Sequence, residues 1–281
     1  MSRYSHLEEI RRLEPERDHL RIVYLDSCYE FPFDITRALE FALFRTFASN
    51  TISVLLDRTG EFIERSQKRY DDTDIIVSEM VEHGYDSERG RAALRRMNQL
   101  HGRFEITNED FLYVLSTFVF EPIRWTARFG WRSMIAAEQL ATFHFWREVG
   151  RRMNIQDLPT SIEAFEQYNV SYEREHFRYA ESNRRVAEAV RDMFIGWLLP
   201  KPLRRLGEPA VNALMDDRLL DAFGFARPSP LMRRLVEGGL RARGRVIRRL
   251  PARRNPRLRT QMRHRVYPDG YRIEELGPRD A

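Results

Sequence analysis

Residues 93–104 read ALRRMNQLHGRF, and on a helix Leu94, Met97, His101 and Phe104 line one face at three- and four-residue spacing. An imidazole in that apolar stripe is either a core histidine with hydrogen-bonded nitrogens or a ligand to a metal or a haem iron. Glu173 and His176 form one Glu-x-x-His, half of what a di-iron carboxylate site needs. The nearest second candidate, Glu79 with His83, has the wrong spacing of four. His176, in YEREHFRY, suits a polar helix face, and His144, between Phe143 and Phe145, suits a structural position. Arg69 and Thr73, four apart, also share a face; taken alone they read as a surface charge and a cap.

Several classes of chemistry drop out. The chain has no Gly-rich dinucleotide loop, no phosphate-binding Gly-Lys-Ser/Thr, no His-Glu-x-x-His and no Gly-x-Ser-x-Gly. Cys28 is the single cysteine, so neither an internal disulfide nor a thiolate zinc cluster can form within one chain, and a reducing compartment is expected. The first residues are charged throughout and lack the apolar core of a secretory signal. The longest apolar runs, YVLSTFVF and MFIGWLLP, are far shorter than the roughly 20 residues that cross a bilayer. The expectation is a cytoplasmic protein without signal peptide or transmembrane helix. What remains is histidine and carboxylate on helices, which suits a metal or haem inside a helical core.

The elements that must position these groups are nearly all helical. Residues 34–49 follow Asp34 as a cap, 73–84 follow the acidic pair Asp71 and Asp72 and stop at Gly84, and 86–102 end at Gly102. Residues 107–125 open on Thr-x-x-Asp and are expected to end at Pro122; 136–153, 161–179, 183–199 and 209–223 complete the series. With 42% hydrophobic residues and no period-two alternation, the reading is all-α, a single helical domain over 1–225 followed by a basic, partly irregular extension over 226–281. Between Leu231 and Arg265 thirteen arginines face one acid, Glu237, so this segment carries +12 and the rest of the chain −7, against a total of +5. Its apolar pattern is expected to break at Gly238 and Gly239 and to give way to a poorly packed Pro/Arg-rich stretch. A solvated appendage and contact with an anionic membrane are the readings of this segment; nucleic acid ranks behind them because stacking aromatics are missing.

Upstream of His101 the chain reads KRYDDTDIIVSEMVEHGYDSERGRAALRRMNQLHGRF. Together with YEFPFDITRALEFALFRTFA and DFLYVLSTFVFEPIRWTARFGWR, this resembles the MpaB and rubber-oxygenase (latex-clearing protein) family, in its MpaB-like branch, over residues 15–170. In that family Arg-x-x-x-Thr on one helix and a later histidine mark a b-type haem site; here Arg69, Thr73 and His101 match, with 28 positions between the last two. The resemblance implies a haem-dependent oxygenase using haem b and dioxygen, with His101 as axial ligand and metal-binding residue. Arg69 would meet a propionate, and Thr73 a neighbouring polar group. It implies oxidation or cleavage of a C=C bond in a hydrophobic, isoprenoid-like substrate, in a channel of residues such as Phe118, Phe120 and Trp125. Two positions depart from relatives: Asp72 stands where the latex-clearing branch has a lysine, and Leu115 where many relatives have a second histidine. No catalytic base follows from the motif. The rival readings are a non-enzymatic helical interaction protein and a non-haem di-iron oxidase.

Overall fold

In the computed structural model, which describes residues 2–278, the chain folds into helices α1 (Ser5–Ile10), α2 (His19–Leu25), α3 (Pro32–Phe47), α4 (Asn50–Thr59), α5 (Glu61–Glu64), α6 (Ser66–His83) and α7 (Glu88–His101). Then follow α8 (Asn108–Phe129), α9 (Ala136–Arg152), α10 (Ile162–His176), α11 (Glu181–Gly196), α12 (Arg204–Asn212), α13 (Asp217–Phe223) and α14 (Pro230–Arg249). Among the described residues there is no strand beyond one isolated bridge between Ser49 and Phe177. Nor is any helix long and apolar enough to cross a membrane.

Local chemistry sets the starts of the two helices that frame the site. Ser87 Oγ accepts from the Gly90 N–H at 3.0 Å and opens α7; Thr107 Oγ1 accepts from the Asp110 N–H at 3.1 Å and opens α8. Other boundaries differ from expectation. Helix α6 begins at Ser66, a full two turns early, so Asp71 and Asp72 are buried in mid-helix rather than standing at a helix start. Asp34 is no cap; buried, it accepts from Trp125 Nε1 at 3.2 Å and pairs with Arg243 at 3.0 Å. Helix α8 runs straight through Pro122 to Phe129. The ring forfeits one backbone bond at about 3 kcal/mol, but Val119, Phe120, Trp125 and Phe129 are all buried around it. Each such side chain contributes about 1.5–3 kcal/mol, so packing wins.

Helix α8 is the wall between two cores. Leu112, Leu115 and Val119 face a cluster with α2, α6, α7 and α9, whereas Tyr113, Trp125 and Phe129 face one with α3, α11 and α13. Arg45 on α3 ties the second core together. Its guanidinium reaches Glu121 at 2.7 Å, Glu173 at 3.0 Å and Asp216 at 2.5 Å.

The C-terminal segment is not a loose appendage. Helix α14 continues unbroken past Gly238 and Gly239 and crosses α8 where Gly244 nears the Gly130 carbonyl; a Cβ there would lie 2.8 Å from that oxygen. Residues 250–278 then form a strap back across α6. Arg259 chelates Asp74, Thr260 N–H reaches Glu82 at 3.3 Å, Val266 N–H reaches Asp71 at 2.9 Å, and Tyr271 Oη donates to Glu79 at 2.5 Å. The acids of α6 thus neutralise part of the basic segment, which composition alone did not reveal.

Candidate functional site

Helices α4, α6, α7 and α8 and the end of the strap enclose a cavity of about 280 Å3. Its lining is mostly apolar, with Ile76, Met80, Met97, Leu115, Phe118 and Trp146 among the contributors. Arg69, Thr73 and His101 all face it, so the structure brings together the three residues singled out by their spacing.

His101 is the last residue of α7, placed there because Gly102 ends the helix. Its ring sits edge-on to Phe111, with centroids 5.4 Å apart. The Nδ1 atom is sealed from solvent and has no hydrogen-bond partner. A purely structural histidine would have its buried nitrogens satisfied. An acceptor fixing the ring from behind, expected for a metal-bound imidazole, is also missing. Burial, aided by the charge of Arg69, pushes the imidazole pKa down to about 4. At neutral pH the ring is uncharged and its lone pair is available.

Arg69 is enclosed one helix away. Its Nη1 donates to Thr73 Oγ1, which itself donates to the Arg69 carbonyl at 2.9 Å, and the guanidinium stacks over Phe62 at 5.2 Å. Among the described residues no carboxylate lies within ion-pair distance of it. Burial depresses its pKa, opposed by the more distant charges of Asp72 and Glu61. A guanidinium enclosed without an anion is costly, and an anion arriving in the cavity would relieve it.

Asp72 is fully engaged. Lys68 Nζ approaches it at 2.9 Å, Tyr267 Oη donates to it at 2.5 Å, and the Gly277 N–H at 3.0 Å. Its carboxylate is therefore directed to the strap. Glycine is required at 277: its φ is +103°, and a Cβ would lie 2.6 Å from Leu100 Cδ2. Gly277 and Pro278 close one end of the cavity, a role that no local motif marks, because the strap reaches the site from the far end of the chain.

Some expected members fall elsewhere. Of the stripe residues beside His101, Met97 and Phe104 line the cavity, Phe104 at its rim and 38% exposed, whereas Leu94 is buried in the core. Of the expected channel aromatics only Phe118 lines the cavity. Phe120 packs on Phe165 and Trp125 on Phe41. The Glu-x-x-His pair is taken apart: Glu173 is held by Arg45 and Tyr113, while His176 stacks on Tyr172 with Nε2 3.2 Å from Glu109. Glu79 is occupied by Arg89 at 2.6 Å. Among the described residues no group of three or more His, Cys, Asp or Glu side chains is placed to hold a metal ion. A macrocycle-bound metal makes no such demand, since it needs only an axial ligand from the chain.

The family model for the catalytic domain of "ER-bound oxygenase mpaB/B'/Rubber oxygenase" matches residues 53–249, which include α6, α7 and every candidate side chain. The chain belongs to this oxygenase family. It is 33% identical over 219 residues to ER-bound oxygenase mpaB' of Penicillium brevicompactum, covering 72% of this chain and 52% of that protein. To ER-bound oxygenase mpaB of Penicillium roqueforti (strain FM164) it is 33% identical over 211 residues, 69% of this chain and 70% of the relative. The chain spans about half the length of the first of these relatives. The whole strap lies beyond the matched domain, so the mpaB/rubber-oxygenase match covers α6, α7, α8 and most of α4 around the cavity while the closing residues Gly277 and Pro278 come from outside it.

Proposed function

We propose that the cavity holds a b-type haem with His101 as its axial ligand, and that the chain is an oxygenase oxidising or cleaving a C=C bond in a hydrophobic, isoprenoid-like molecule. The observation that carries this reading is the neutral His101 imidazole, with a buried, unpartnered nitrogen, facing an apolar cavity that also holds an enclosed, unpaired arginine. Arg69 supplies the cation for a propionate, and Thr73 holds its fork by accepting from Nη1. The haem, when bound, supplies the dioxygen chemistry that helical side chains lack. The chain supplies the dry walls from Met80, Leu115 and Phe118, which exclude water and favour an apolar substrate. Its membership of a family described as rubber oxygenases supports the substrate class.

The test is reconstitution with hemin. Wild-type protein should show a Soret band and a ferrous spectrum with a histidine ligand. His101→Ala should stay helical and lose the haem or its proximal ligand, with His144→Ala and His176→Ala unchanged. An unaltered ferric and ferrous spectrum in His101→Ala removes the assignment.

A further inference from the structure

Helix α14 is amphipathic in an unusual direction. Its inward face is polar as well as apolar: Arg243 pairs with Asp34 at 3.0 Å, Arg248 Nε donates to the Trp131 carbonyl at 3.1 Å, and Gly244 lies against Gly130. Leu240 and Ile247 pack inward, yet the outward face carries apolar residues too. Leu231, Leu235 and Val246 are 67%, 62% and 57% exposed, and with exposed Ala242 they fall at helical positions that make one stripe along some 15 residues of the helix. Single exposed leucines need no explanation, but an aligned stripe does.

Charge decides what would cover it. Arg234, Arg245 and Arg249 flank the stripe, are exposed, and have no partner among the described residues. The one acid of α14, Glu237, is held by Arg128 at 3.0 Å and Arg241 at 2.7 Å. The stripe is thus bordered by free cations with no competing free anion on the helix. Next to α14 packs α12, in which Leu206 is 71% exposed beside Arg205, and the turn before α12 leaves Leu198 85% exposed near Lys201; no described residue pairs with either cation.

We infer that the outer face of α14 docks in the plane of an anionic lipid bilayer, with the leucine–valine stripe in the acyl boundary and the free arginines at the headgroups. A helix with an apolar stripe and unpaired arginines beside it has the chemistry of an interfacial element. Residues 230–250 contain no aromatic side chain, so the stacking platform of a single-strand binder is absent. The proposal assigns docking to α14, where exposed arginines border an apolar stripe; the strap also carries exposed Arg254 and Arg263, but its Arg259 is engaged with Asp74 and it presents no such stripe. It rests on nothing in the cavity and stands whether or not haem binds.

The test uses the full chain and sedimentation with vesicles of phosphatidylcholine alone or mixed with phosphatidylglycerol. Wild-type protein should bind the anionic vesicles only. The triple variant Arg234→Gln/Arg245→Gln/Arg249→Gln should bind them about a hundredfold more weakly, from a factor of about five per basic residue. Leu231→Ser/Leu235→Ser/Val246→Ser should leave weak binding that raised salt abolishes, whereas part of the wild-type binding survives salt. All six side chains are solvent-exposed, so circular dichroism should be unchanged. Failure of the wild type to bind anionic vesicles, wild-type binding by both triples, or binding to an oligonucleotide with none to vesicles would each overturn the assignment.

Discussion

Arg69 and His101 line one cavity, and the charge of the arginine helps hold the imidazole neutral. The ordinary histidine value of 6.5 falls to about 4 in the folded chain, mainly through burial. Between those values the unfolded chain binds the proton and the folded chain does not. Stability from this group is therefore complete above pH 6.5 and is lost as pH falls through about 4.

The resulting loss is of the order of 3 kcal/mol for the cofactor-free protein. Urea denaturation at pH 7.5 and at steps down to pH 4.5 measures it. His101→Leu should show a shallower acid decline than wild type by that amount. Parallel declines in the two proteins would assign the acid sensitivity to other groups.

Replacing Arg69 should act with opposite signs on two quantities. In the cofactor-free chain Arg69→Met removes an enclosed charge without an ionic partner, so stability should rise by about 1–2 kcal/mol. Haem retention should fall at least tenfold, because a propionate would lose its cation. Thr73→Val, which keeps the shape, should weaken retention less. A variant of Arg69 that is destabilised and holds haem normally would show the residue to be structural.

The strap should open when its lock on Asp72 is weakened. Tyr267→Phe removes one hydrogen bond to a buried carboxylate, a loss of about 1.5–3 kcal/mol, while Lys68 and the Gly277 N–H remain. Hydrogen exchange at residues 264–278 should accelerate accordingly, with α3 and α13 unaffected. Uniform acceleration over the whole chain would mean that the strap and body unfold as one unit.

By itself, the sequence determined the helical class, the starts of α7 and α8 and the pairing of Arg69 with Thr73. Each of these depends on contacts within a few residues. Ser87 caps through Gly90 three positions on, Arg69 meets Thr73 one turn on, and the stripe through His101 repeats at helical spacing. Family blocks made the histidine stand out from His144 and His176, but nothing local said that its Nδ1 would lack a partner. Only the tertiary structure decided that, along with the lock of Asp72 to residues 195 and 205 positions away. The same is true of the continuation of α8 through Pro122 and the gathering of Glu121, Glu173 and Asp216 around Arg45. Glu173 looked like a metal ligand because Glu-x-x-His is a local spacing, and the arginine that holds it lies 128 positions earlier. The strap looked loose for the same reason. Its arginines read as repulsive among themselves until α6 places Asp74 beside Arg259, and an ion pair between distant segments exists only once the chain has closed the loop between them.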